Sequence, residues 1–176
     1  RAAVDGAMAA SIMENLLKSG IGYQCALRLT NAALLAKSGD ESLSTLDLVS
    51  VDLYTGHTIF YKAGAPVSFI RSNGTCREIE ASSFPAGILG DADFAKVEAD
   101  LAPNDMIVLV SDGITACGTE WVCKMLEEWP GGDPGALAAQ LIEAARKKRT
   151  DGHDDDITAL VLVIESRTGT STVKNA

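Results

Sequence analysis

Val4, Met8, Ile12 and Leu16 recur every four residues, with Met13 and Leu17 beside them, which lays an apolar stripe along a helix. Ser19-Gly20 is its predicted end, since glycine takes the left-handed conformation of a helix C-terminus at little cost. Tyr23, Ala26, Leu27, Thr30 and Leu34 repeat the spacing up to Lys37, so a second helix follows a very short connection. The pair, residues 2–37, should pack as a helical hairpin. From Ser44 the period shortens. The run STLDLVSVDLYTGHTIFYKAGAPVSFIRSNG is rich in β-branched and aromatic residues and is punctuated at Thr55-Gly56, Gly64-Ala65-Pro66 and Asn73-Gly74. It predicts antiparallel strands, with a tight hairpin turn at Asn73-Gly74 because both residues tolerate positive φ.

FPAGILGDADF then reads as a loop leading into a weak strand around Lys96 to Ala99, and APND as a turn into the strand MIVLV. Met106 to Val110 is apolar without alternation, which predicts cover on both faces. In TEWVCKMLEEW, Val122, Met125, Leu126 and Trp129 fall at helical spacing, and Pro130-Gly131-Gly132 stops that helix. Asp133 can cap the next one, with Pro134 at its first position and Leu137 and Leu141 on its buried face. Arg146, Lys147, Lys148 and Arg149 sit at its negative end, where helix-end electrostatics is the simplest reading and ligand binding the alternative. DGHDDDITALVLVIE is an acidic loop feeding a strand, and 166–176 is a polar tail expected to be disordered. No internal repeat or linker divides the chain, so one α+β domain with helices and strands in separate runs is predicted for 1–165.

At 176 residues with 47% hydrophobic and 22% charged content, the chain has enough apolar mass for a folded core. A net charge of −9 repels phosphate backbones and anionic headgroups, which argues against nucleic acid as a partner. Cys25, Cys76, Cys117 and Cys123 form no CxxC pair, and with His57 and His153 they outline no zinc site, so reduced thiols in a cytoplasmic setting are expected. The longest uninterrupted aliphatic run, Ala159 to Ile164, is far short of the ~20 residues of a membrane-spanning helix. Arg1 follows no initiator Met or signal peptide, so the chain reads as a segment of something longer.

Two acidic stretches share one arrangement. Asp112 lies just past the strand MIVLV, and Asp154, Asp155 and Asp156 lie just before ITALVLVI. If those strands are antiparallel neighbours, the end of one lies beside the start of the other and the carboxylates converge at one sheet edge. Carboxylate oxygens are the donors that hard cations such as Mg²⁺ and Mn²⁺ prefer, and a site with few of them leaves positions for water and phosphate. The bland readings are a turn at Ser111-Asp112-Gly113 and a solvated acidic loop. Calcium binding is a poorer match, since the loop lacks the alternating acids, central Gly and closing Glu of an EF-hand. His153 beside the acids is a candidate general acid or simply exposed, and His57 falls in a turn and reads as structural. No GxSxG, Walker loop, dinucleotide fingerprint or Cys-His pair is present.

Five segments in this order, STLDLVSVDLYTG, KAGAPVSFI, FPAGI, the strand plus SDGI, and DDDIT with ALVLV, resemble the metal-dependent serine/threonine phosphatases of the protein phosphatase 2C type. Within that group the chain is similar to the bacterial branch typified by sporulation stage II protein E, from Arg1 to about Glu165. The resemblance implies an α-β-β-α sandwich, here without its N-terminal strands, and two Mn²⁺ or Mg²⁺ ions that activate a water against a phosphoserine, with no protein nucleophile. It implies that Asp112 and Asp155 are metal ligands, that Asp156 supports them from the motif's second position, and that Gly113 makes a sharp turn beside the metal. The family's first metal motif, of Asp-Gly-Met-Gly type, belongs just ahead of the first helix. Asp5-Gly6 has the letters but lies within the helical stripe and reads as helix surface, so the stretch 1–176 is expected to hold about half the metal site.

The helical pair Ala2 to Lys37, placed directly after that motif, is further implied to act as a switch, with simple core covering as the rival reading. The partner implied is a phosphoserine protein, an anti-sigma factor antagonist, met by a cytoplasmic domain whose full-length protein is membrane anchored; dimerisation is left open. The rival reading is a noncatalytic interaction module that keeps the fold for partner binding.

Overall fold

The computed structural model describes residues 2–37, 44–90, 94–149 and 156–166. They fall into two compact units, Arg1–Val67 with Ile79–Asp100, and Ser68–Glu78 with Leu101–Ala176. The polar tail expected to be disordered lies, past its first residue, outside the described residues.

In the first unit, helices α1 (Ala2–Lys18) and α2 (Tyr23–Lys37) form the predicted hairpin. Gly20, at φ 81°, lets the chain reverse, and the Gly20 and Ile21 N–H groups donate back to Leu17 and Leu16. Strands β1 (Leu46–Val51), β2 (His57–Ala63) and β5 (Ala95–Asp100) form an antiparallel sheet in the order β1-β2-β5. Met13, Ala26, Leu27 and Tyr61 pack together with Leu16, Leu17, Leu48 and Ile59 around them, so the hairpin closes one face of that sheet.

The apolar stripe of α1 is rotated from its sequence reading. Val4 is 61% exposed, and the buried line runs through Asp5, Ala9 and Met13. Asp5-Gly6 is therefore helical as expected but is not helix surface. Asp5 is 5% exposed and its Oδ1 accepts from Lys37 Nζ at 2.7 Å, which ties the start of α1 to the end of α2. Charge pairing across the hairpin outweighed the hydrophobicity of Val4 in choosing the face, because a carboxylate leaves water only when a cation goes with it.

Two further polar residues are buried in this unit. Lys62, fully buried on the central strand, donates to Asp47 Oδ2 and to the Pro66 carbonyl, each at 2.7 Å. Asn31 of α2 donates from Nδ2 to the Leu89 carbonyl and accepts from the Gly87 N–H at Oδ1, both at 2.8 Å, so one amide anchors the FPAGI loop. Gly64, at φ 60°, has the Pro85 ring 2.5 Å from where a Cβ would stand, which leaves that strand end to glycine. His57 starts β2 as a half-buried residue whose ring Nδ1 lies 3.1 Å from Asp100 Oδ1.

The second unit holds β3 (Ser68–Ser72), β4 (Thr75–Ile79), β6 (Met106–Val110) and β7 (Ala159–Val163), ordered β4-β3-β6-β7. Asn73 and Gly74 take φ of 51° and 81°, the double positive turn predicted between β3 and β4. β6 lies between β3 and β7 with Met106, Ile107 and Val108 buried, as its unbroken apolar run required. Helix α4 (Glu120–Glu128) packs on β3, and α5 (Pro134–Lys148) packs on β7, burying Val122, Leu126, Leu137 and Leu141. Asp133 caps α5 by accepting from the Gly135 N–H at 3.0 Å.

The expectation of reduced thiols is corrected for one pair. Cys76 of β4 and Cys123 of α4 form a disulfide, with Cα atoms 5.2 Å apart, while Cys25 and Cys117 are free and exposed. The partners are 47 residues apart, so local spacing gave no sign of them.

Candidate metal centre

β6 and β7 are antiparallel neighbours, with Met106 opposite Val163 and Val110 opposite Ala159. The C-terminal end of one therefore lies beside the N-terminal end of the other, as the sequence required for its acidic residues to meet. Beyond Val110 the pairing continues through Ser111: its N–H donates to the Thr158 carbonyl at 3.0 Å, and its Oγ accepts from the Thr158 N–H at 2.9 Å. Ser111 Oγ also donates to the Asp156 carbonyl at 3.2 Å. This fastening brings Asp112 and Asp156 to one edge of the sheet, both exposed to solvent.

Asp112 opens a four-residue helix, α3 (Asp112–Thr115), where a turn was expected. Its Oδ1 accepts from the Gly113 N–H at 3.0 Å, and its carbonyl accepts from the Ala116 N–H at 2.8 Å. Ile114, buried beneath, holds the short helix to the unit's core.

Gly113 is not among the residues of positive φ, so its need for glycine is steric. A Cβ there would stand 2.9 Å from the Asp156 carbonyl oxygen and 3.0 Å from Ile157 Cγ1. The backbone of the Asp112 turn and that of the Asp156 segment thus approach more closely than any side chain permits.

Asp155 and His153 lie outside the described residues, so the geometry speaks for Asp112, Gly113 and Asp156. Among the described residues no group of three or more His, Cys, Asp or Glu is assembled that could hold a metal ion. The donors that are present suit Mg²⁺ or Mn²⁺ in kind: oxygen only, carboxylate and solvent-facing.

Sequence reasoning missed Arg149, the C-cap residue of α5. Its Nη1 reaches within 3.5 Å of the Gly113 Cβ position, and its Nε and Nη1 are shielded from solvent. Lys147 pairs with Glu143 and Lys148 lies over the Trp121 ring, whereas the Arg149 head group turns toward Gly113. A basic residue at a helix end carries no mark of where its head group goes.

The family model for stage II sporulation protein E matches residues 1–165. The chain is 30% identical over 163 residues to stage II sporulation protein E of Bacillus subtilis, covering 89% of this chain and 20% of that protein. It is 25% identical over 159 residues to the phosphoserine phosphatase RsbU of the same organism, covering 85% of this chain and 48% of that one. A solved structure of the Bacillus subtilis stage II protein E phosphatase domain, of the protein phosphatase 2C type and carrying part of its regulatory domain, superposes with a TM-score of 0.82 at 29% identity. That alignment covers 92% of this chain and 48% of the solved one. A structure of the same domain presoaked in Mn gives a TM-score of 0.66 at 28% identity, over 92% of this chain and 75% of the other. The mixed helix and antiparallel-sheet fold is that of the protein phosphatase 2C type. The chain spans less than half the length of either curated relative.

Proposed function

Because the chain belongs to the stage II sporulation protein E family, we propose that it is the catalytic portion of a metal-dependent phosphoserine protein phosphatase. The reading rests on one observation above others, the antiparallel β6–β7 register that sets Asp112 beside the Asp156 segment. Asp112 and Asp155 are the proposed ligands for Mn²⁺ or Mg²⁺, with Asp156 supporting them and Gly113 allowing the close backbone contact. When bound, two such ions lower the pKa of a water and neutralise phosphoryl oxygens, the help that an uncatalysed reaction needing accelerations of up to about 10²¹ requires.

The chain's own residues supply the frame. Asp112, held by the Gly113 N–H at one oxygen, presents a carboxylate of defined orientation. Ser111 ties the two strand ends together, which limits how far the Asp112 turn must move when a cation arrives. The proposed substrate is a phosphoserine protein, specifically an anti-sigma factor antagonist. The similarity to a phosphoserine phosphatase supports the substrate class, and the net charge of −9 argues against nucleic acid. Among the described residues no helix is long and apolar enough to cross a membrane. The domain is proposed to work in the cytoplasm, within a membrane-anchored whole.

A third carboxylate, from an Asp-Gly-Met-Gly type motif, completes the proposed site, and residues 1–176 hold no such sequence. Asp5-Gly6 is no substitute, because Asp5 is committed to Lys37. The test compares the 176-residue chain with a version extended upstream by its natural sequence, with Mn²⁺ and a phosphoserine peptide. The extended protein should release phosphate at least about 10–100-fold faster, the scale of losing support to a metal site. Asp112→Asn and Asp155→Asn in it should each abolish turnover while thermal melts stay within a few degrees of the parent. Equal rates in the two lengths, or an active Asp112→Asn enzyme, would overturn the assignment; binding of the partner without any turnover would favour the noncatalytic module.

A further inference from the structure

α5 ends in four consecutive basic residues, and the last of them turns inward. Arg149 leaves the helix at φ −73° and ψ 120°, with its N–H still donating to the Ala145 carbonyl, so its side chain departs from the end of the helix rather than its side. Its guanidinium lies against Gly113, with Nη1 3.5 Å from where a Cβ would stand. Nε and Nη1 are out of contact with water there. The Asp156 carbonyl and Ile157 Cγ1 lie 2.9 and 3.0 Å from that Cβ position. One side chain thus sits where α5, the Asp112 turn and the segment entering β7 meet.

We infer that Arg149 is a positioning residue of the metal centre, holding the Asp112 turn and the Asp156 segment in the geometry that receives the cations. The inference rests on the metal-centre reading above. Its physical basis is that guanidinium nitrogens taken out of water are tolerated where negative charge lies near. The place supplies it: Arg149 stands at the C-terminal end of α5, beside the turn that begins with Asp112. A permanently charged, planar, five-donor group suits three converging elements, where a lysine ammonium would act only as a point charge. Clustered carboxylates repel one another before any cation binds, and a fixed positive charge within the turn opposes their spreading.

Arg149→Ala, Arg149→Lys and, as control, Lys147→Ala are made in the full chain and in its upstream-extended form. Amide hydrogen exchange is followed over 111–116 and 156–160 without metal, and Mn²⁺ affinity is read by titration calorimetry. For Arg149→Ala, exchange at these two segments should rise about tenfold or more while α5 stays protected. Mn²⁺ affinity should fall about 10–100-fold. Arg149→Lys should recover only part of each, and Lys147→Ala should match the parent.

Parental exchange at both segments in Arg149→Ala would overturn the inference whatever the metal does. If Arg149→Ala does not fold, Arg149→Lys decides: parental exchange and Mn²⁺ affinity in it would equally overturn the guanidinium's role. Asp112→Asn tests the underlying reading separately. If it binds Mn²⁺ like the parent while Arg149→Ala still loosens the two segments, the metal assignment fails and the positioning role stands.

Discussion

Ser111 and Thr158 bind each other twice, backbone to backbone at 3.0 Å and Thr158 N–H to Ser111 Oγ at 2.9 Å. A side chain takes over the ladder where backbone pairing would lapse, and the same hydroxyl reaches on to the Asp156 carbonyl. Ser111→Ala keeps the backbone bond but removes an acceptor and a donor. It should cost about 0.5–1.5 kcal/mol in urea unfolding. Ser111→Thr, which retains the hydroxyl, should restore most of that.

Gly113→Ala tests the close approach of the two backbones. The added carbon meets a carbonyl oxygen at 2.9 Å, and backbone cannot swing aside as a side-chain tip can. A loss of about 1–3 kcal/mol is expected by denaturant titration, the usual cost of overpacking. Mn²⁺-dependent turnover of the extended protein should fall beyond what the unfolded fraction explains, since the shift falls on the turn that carries the proposed ligand Asp112.

Lys62 and Asp47 face each other across β1 and β2 with the lysine out of water. Lys62→Met leaves the Asp47 carboxylate without that cation and should cost about 3–5 kcal/mol. Asp47→Leu combined with it should recover a large part, because the two charges then leave together. A double-mutant cycle by chemical denaturation separates these outcomes.

The Cys76–Cys123 bond closes a separation of 47 residues. On the chain-entropy argument its removal should lower stability by about 2–4 kcal/mol. Thermal melts of the parent with and without dithiothreitol measure this, in a background where the exposed Cys25 and Cys117 are Ser. Cys76→Ser should melt like the reduced parent and show no response to the reductant.

How much could be read from the chain varies with the range of the interaction. Local features were legible: the Asn73-Gly74 turn needs positive φ at two positions, and the Asp133-Pro134 start of α5 needs a cap acceptor and a fixed φ. The burial of β6 was legible too, because an unbroken apolar run five residues long has no face to give to water. Asp112 and Asp156 could be nominated together only on the condition that β6 and β7 pair antiparallel, and the register meets that condition.

By itself the sequence determined the types of the longer elements, the cap of α5, the Asn73-Gly74 turn and the two acidic strand ends, because these depend on residues within a few positions of one another; the short helix α3 was not among them. The tertiary structure decided which face of α1 turns inward, since Asp5 finds Lys37 only once the hairpin closes. It likewise decided the partner of Cys76, the burial of Lys62 and the direction of Arg149. Each of these depends on what a polar or reactive side chain meets after the backbone is placed. Hydrophobic spacing records how strongly a residue avoids water, and it carries no term for the single cation, carboxylate or thiol that makes leaving water affordable.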